Sequence, residues 1–588
     1  MKILRFLFVL LICLNLLKVP VLCQEPKIIG INVIESDKQA LNYLNEKGFV
    51  AKPPFSKQIY LPYLIHSLPA YVTADSLLQT YYIIYREANL RLVTITNAKF
   101  LMLMQLLQEK TLAGLSINPN AKTKLAIEKT VEKLQLLSAI LENQEKLPNL
   151  VKDELELINC ADSIGLSPLL GIEIDYKVFQ VPNNIDSNQA KLFQLLTWLE
   201  NWQVILSDDL AAEQTLLLAL EFDSDERLSR LWQEIDLSLN YLIGSRKGVT
   251  LFELIPTVDY IFGDDSIAVT ELSTLHIKTF QRLSERINFT KEPIKLFGER
   301  VSLAQELKDV FGAEILLKLD FSSLYHTENL EDEKLKVLKQ ILSWQEKNPN
   351  SHYTHLVNCF RSLLTTNKDG RLPKFVNSPA WQDRLSTTVS VSWFSYQQPL
   401  IEPIKSTATS HSSNLYRQDF HGYVEPNKAF FAAILHMANS LQGVLLKNRI
   451  FISEVDKFIN VNKLLLRIVE KQLSAISLSE DEIDLLENYG ETLAELSFVL
   501  GNYGSKEFDQ IFNLKIKNET SNYQIIAGQV LNLYVVITYQ DKQYLCQGAI
   551  TNYCTSDNQQ NIIKPLIVIT ENIIMPYQQS YISTTTTE

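Results

Sequence analysis

Glycine is scarce in this sequence, with 18 residues in 588, about 3% where ~7% is usual. Phosphate-binding loops depend on that residue for left-handed backbone and close approach to a ligand, so nucleotide loops have little material here. The motifs agree: there is no GxGxxG, no GxxxxGKS/T, no HExxH, no GxSxG and no CxxC. Histidine is thin, with eight residues. Positive charge also falls short, 55 Lys and Arg against 67 Asp and Glu, a formal net charge of −12. Nucleic-acid binding rests on phosphate neutralisation by Lys and Arg, so no nucleic-acid partner is expected.

What is present begins with a leader-like segment. Lys2 and Arg5 precede an apolar run from Phe6 to Leu17, Lys18-Val-Pro20 breaks it, and Val21-Leu-Cys23 offers modest residues ahead of a cleavage point. Such a run is shorter than the ~20 residues that span a bilayer, so it predicts a cleaved secretory signal over 1–23. Cleavage near Cys23 removes three positive charges and no acid, moving the net charge from −12 to −15. The expected location is secreted or periplasmic, with an unidentified extracellular or envelope component as partner. No later stretch reaches ~18 uncharged apolar residues, so the mature chain is expected to lack a transmembrane segment.

Helical periodicity dominates from about residue 75 to 500. Leu192, Leu195, Leu196 and Leu199 follow the i, i+3, i+4, i+7 spacing of one helix face. Thr250 with Glu253 forms a capping box, and Asn427 stands where a cap would open "KAFFAAILHMANSLQGVLL". The ends differ: "KIIGINVI" (27–34) reads as a short strand, and strand patterns resume near 505, with a turn expected at Gln540-Asp541 and a last strand in "PLIVITENII" (565–574). The fold class is therefore mainly α: a large multi-helical body over 24–500, a small C-terminal antiparallel β module over 501–580, and α+β overall. A linker is expected at Gly501–Asp509 and a disordered tail over 581–588. No internal repeat of 20–50 residues is visible.

Chemistry-bearing patterns are few. "PAYVTADSLLQTYYIIY" (69–85) breaks from an extended run into an apolar helix at Thr73-Ala-Asp75, and either Thr73 or Asp75 suits a helix N-cap. His352, His355 and Cys359 share one helical face, a spacing that could serve zinc or copper, although the same segment has an ordinary apolar stripe. Four cysteines follow the leader; Cys160 with Cys359 is the more natural bridge, since Cys546 and Cys554 lie in one strand pattern. Ser410, His411 and Asp419-Phe-His421 share a loop, which invites a triad reading that only geometry can test. No cofactor is named by any pattern.

Several blocks, in order, carry a resemblance. "YVTADSLL" (71–78), "DYKVFQVPNNIDSNQAKLFQLLTWL" (175–199), "SPAWQDRLSTTVSVSW" (378–393), "GYVEPNKAFFAAI" (422–434) and "YVVITYQDKQYLCQGAI" (534–550) resemble the secreted bacterial and archaeal family catalogued as domain of unknown function 3160. The resemblance implies an extracytoplasmic, mostly helical protein with no established reaction. It also implies histidines at the positions of Gln79 and Tyr82, a Leu-Arg-His-Asp-Thr run where "FSYQQPLIEP" follows Trp393, and an acidic loop where Ser245-Arg-Lys-Gly248 stands. This chain departs from all three and keeps Asp75 and Glu425.

Loss of imidazoles and carboxylates removes groups that bind metals or move protons near neutral pH. The expected function is a non-catalytic binding or structural scaffold, secreted or in the cell envelope. The alternative is an extracellular glycan hydrolase with Asp75 and Glu425 as paired carboxylates, and the third is a metal-binding protein.

Overall fold

The computed structural model describes residues 28–56, 58–65, 68–181, 185–263, 272–288, 293–303, 332–365, 371–397, 420–498, 510–515, 522–557 and 576–583. The expected leader, the 501–509 linker, the strand at 565–574 and the Ser410-His411 loop lie outside the described residues.

The main sheet is built from β1 (Phe49–Ser56), β2 (Ala70–Val72), β3 (Gly422–Val424), β4 (Gln510–Lys515), β5 (Asn522–Tyr539) and β6 (Lys542–Asp557). Its order is β1-β5-β6-β2-β3, with β4 also on β5. The β5–β6 hairpin is antiparallel and turns at Gln540-Asp541, where both residues have positive φ, 48° and 62°, as a two-residue type I′ turn requires. β2 and β3 are parallel to each other, and β2 is parallel to β6. The C-terminal hairpin thus takes β1 and β2, from the first hundred residues, as neighbours on its two sides, with β2 in turn paired to β3. It is the centre of a shared sheet, not a separate module.

Helices frame this sheet: α1 (Ala74–Ala113), α2 (Ala121–Leu141), α3 (Ser187–Asn201), α4 (Glu226–Leu242), α5 (His352–Leu364), α6 (Pro379–Gln397), α7 (Lys428–Lys447) and α8 (Ser453–Leu473). α1 is the spine. Every residue from Ala74 to Arg86 is buried, because the sheet, α6 and further helices enclose it on all sides, and its remainder packs on α2, α3 and α4. By length and composition alone Ala74–Ser116 and α7 are apolar enough to cross a membrane, but both contribute to the main core of this fold. The Thr250–Glu253 capping box forms, and Asn427 caps α7 by accepting from Phe430 N–H at 3.0 Å.

Two terminal readings change. Residues 31–33 form a short 3₁₀ turn, and only Ile29 bridges a strand residue, Tyr544. Tyr581, Ile582 and Ser583, assigned to the tail by their sequence, are buried against β1: Ser583 N–H donates to Ala51 O at 2.9 Å, and Tyr581 stacks at 6.5 Å on Phe49.

Candidate functional site

β2 and β3 run in register, Val72 beside Val424, and each strand leads into a helix. Asp75 lies in the first turn of α1, and Glu425 follows β3 with its N–H donating to Val72 O at 2.9 Å. Gly548 on β6 permits the close approach of β2, for a Cβ there would stand 2.5 Å from Tyr71 O. The two carboxylates therefore meet at the ends of neighbouring parallel strands.

Arg384 of α6 lies between them. Its guanidinium pairs with Asp75 Oδ2 and donates to Glu425 Oε1 at 2.7 Å. Thr551 of β6 donates to Asp75 Oδ1 from its N–H at 2.9 Å and its hydroxyl at 2.8 Å, and the Thr388 hydroxyl donates to Oδ2 at 2.9 Å. Glu425 Oε2 accepts the Ala74 N–H at 2.9 Å, an orphan donor of the α1 N-terminus. Thr73 is the cap of α1, accepting from Ser76 N–H at 3.2 Å, so Asp75 does not cap.

Every carboxylate oxygen of the pair has a donor, and the three side chains are 0–3% exposed. Burial opposes the charge on Arg384, but Glu425 and Asp75 outweigh it and hold the guanidinium more basic than usual. The space bordering Glu425 is about 20 Å³, room for one water. Two negative groups at a helix N-terminus, joined by one buried cation, make a cross-link between sheet and helices.

The metal-like face does not converge. His352 Nδ1 and Nε2 have no hydrogen-bond partner, and the ring stacks 3.8 Å from Tyr85. His355 Nε2 meets the Ser440 hydroxyl at 2.9 Å, and burial followed by the neighbouring His436 pushes its pKa down to about 4. Among the described residues no group of three His, Cys, Asp or Glu side chains could hold a metal ion. The expected Cys160–Cys359 bridge is also absent: Cys160 is an exposed thiol and Cys359 a buried one, because α5 carries Cys359 into the core. His421 Nδ1 meets Glu487 Oε1 at 2.7 Å, while Ser410, His411 and Asp419 lie outside the described residues.

A second, larger space lies further along α1. A cavity of about 870 Å³ is walled by Tyr82, Tyr85, Asn89, Val93 and Phe100 of α1, Leu192 and Leu196 of α3, and Trp232 and Leu239 of α4, with Phe297–Ser302, Tyr353 and Tyr396. Tyr82 and Phe100 are 18 residues apart, so the cavity follows about 27 Å of helix. Most of its wall is aromatic or aliphatic. Glu200, Glu299 and Arg300 supply its charge. Burial, then Glu299, pushes the Glu200 carboxyl up to about 7, against Lys295 and the Arg300 main-chain N–H. Arg300 is engaged by Asp236, by Asn240 Oδ1 at 2.6 Å and by Gly244 O at 2.6 Å.

Sequence patterns marked Asp75 and Glu425 but missed the Arg384 that joins them, although "WQDRLSTT" offers a signal: an arginine amid residues with little other charge. Glu200 and Tyr396 give no local signal, since each ends an ordinary helix.

No curated protein and no solved structure matches the chain. One family model does, described as "Protein of unknown function (DUF3160)", over residues 37–310 and 306–561. Those two segments span nearly the whole described fold, and the chain belongs to that family.

Proposed function

We propose that this is a non-catalytic binding protein of the cell exterior, whose site is the α1 cavity and whose ligand is a small, largely apolar molecule. The observation that carries this reading is the cavity itself: about 870 Å³, elongated, walled by rings and aliphatic side chains with a few polar groups. Ligand sites have that size and composition. The location rests on the leader-like residues 1–23, and N-terminal sequencing of the mature protein should begin near residue 24.

The hydrolase reading through Asp75 and Glu425 is weakened by their burial and by the donors on every oxygen. A general acid or nucleophile must reach substrate, and the space bordering Glu425 is water-sized while the Asp75 side chain is 0% exposed.

The test is titration with N-phenyl-1-naphthylamine, an uncharged dye that brightens when it leaves water. Saturable binding is expected in the native protein and a loss of at least tenfold in Leu196→Trp, which places bulk in the cavity from a partly exposed wall position. No binding, or equal binding to both proteins, would refute the cavity as the site.

A further inference from the structure

At one end of the cavity the wall is built of rings. Tyr396 lies edge-on to Tyr82 at 5.1 Å and tilted to Tyr85 at 5.5 Å, and His352 backs Tyr85 at 3.8 Å and Tyr396 at 5.2 Å. Tyr353 joins the same wall. Within this nest, hydrogen-bonding atoms stand idle. Tyr396 is 7% exposed and its buried hydroxyl has no partner. The Asn89 Nδ2 donates to Tyr85 Oη at 3.2 Å, which leaves the buried Oδ1 of Asn89 unpartnered. Both nitrogens of His352, whose ring backs Tyr85 and Tyr396, are also buried without partners.

Buried polar groups left unpaired cost free energy, of order 1–3 kcal/mol each, so a concentration of them beside an open volume marks the place of a missing hydrogen-bonding group. Tyr396 and Asn89 both line the cavity and offer complementary halves, a hydroxyl that can donate and a carbonyl oxygen that accepts. One ligand hydroxyl would satisfy both at once. Ring faces and edges around them suit a flat ring, by offset or edge-to-face packing. None of Tyr82, Tyr85, Asn89, Tyr353 and Tyr396 carries charge, and burial keeps Tyr85 and Tyr396 protonated and His352 neutral.

We infer that this end of the cavity is a subsite for an uncharged aromatic ring bearing a hydroxyl, seated among the tyrosines, with its hydroxyl accepting from Tyr396 Oη and donating to Asn89 Oδ1. This rests on the cavity being the binding site and specifies the ligand class that fills it.

The experiment compares 2-naphthol with naphthalene, which share a ring system and differ by the hydroxyl, read by quenching of tryptophan fluorescence, since Trp232 lies in the cavity wall. 2-Naphthol is expected to bind about tenfold or more tightly than naphthalene, the scale of one or two hydrogen bonds. In Tyr396→Phe and in Asn89→Leu, a half-buried helix position, that ratio should fall to about threefold or less while each variant keeps a cooperative thermal transition by circular dichroism, which shows that it is folded. Equal affinities for the two probes in the native protein, or a ratio unmoved by both substitutions, would overturn the subsite and leave the cavity reading standing. Failure of all three probes to bind would take down both.

Discussion

Arg384 is the residue on which the buried charge balance turns. It is fully buried, lies 4.6 Å from the Trp381 ring centre, and is the cation shared by Asp75 and Glu425. Arg384→Leu should cost about 3–5 kcal/mol, because two carboxylates would remain buried without a partner. The pH dependence gives the cause. Burial already raises the Glu425 carboxyl pKa against the opposing pull of Arg384 and the Ala74 N–H, and without the guanidinium it rises further above its unfolded value. The folded state then binds more protons, and stability falls as pH rises. Urea unfolding of the variant should show it firmer at pH 5 than at pH 8, and a flat profile would mean that the carboxylates find other partners. Glu200 offers a second titration within the native protein. Its carboxyl is pushed up to about 7 from an ordinary 4.5, so its contribution to stability is greatest below about 4.5 and declines as pH climbs through 7. Glu200→Gln cannot titrate, and its melting temperature should fall less between pH 5 and pH 8 than that of the native protein; equal slopes would show that Glu200 ionises freely.

At the scale of elements, the β5–β6 turn carries a cost that substitution can remove. Gln540 and Asp541 both sit in the left-handed region, which asparagine and glycine occupy with little strain. Replacing the pair by Asn-Gly should stabilise the protein by about 1 kcal/mol in urea unfolding, and a loss of stability would show that the original side chains make contacts worth more than the strain. This turn was legible in sequence, as were the helices, because periodicity and capping are local: the Leu192–Leu199 face, the Thr250–Glu253 box and the Asn427 cap all appear. What could not be read was partnership. β1 contains Pro53 and Pro54, which break alternation and remove ladder donors, so nothing local predicts that Phe49 pairs with Val535. Asp75 and Glu425 were found as residues, but the Thr551 and Arg384 that engage them lie hundreds of positions away from Asp75. The cavity was hidden for the same reason: Glu200 and Tyr396 are unremarked helix positions, and Tyr82 is marked only by the resemblance, until α1, α3 and α6 bring them together.

At the scale of the whole molecule, the sheet decides whether the chain divides. Composition suggests a boundary near residue 501, yet β5 and β6 are flanked by β1 and β2, and Tyr581–Ser583 return to β1. Cutting at residue 500 would uncover Phe49, Val50, Tyr71 and Val72, each at 0% exposure, and take Thr551 from Asp75. A fragment of residues 24–500 should therefore fail to hold a native state. It would show helical circular dichroism without a cooperative thermal transition, because helices keep local order when tertiary packing is lost. The uncut chain should unfold with its sheet and the α1 N-terminus in one step, so that Thr551→Val, which removes a hydroxyl from Asp75 at the far end of the chain, lowers the same transition that Arg384→Leu lowers. Hydrogen exchange should place the α1 turns from Leu77 to Tyr85 and the β5–β6 ladder at equal, global protection. A fragment of 24–500 that melts cooperatively, or a hairpin that exchanges well before α1, would show two units where the shared sheet and its buried arginine require one.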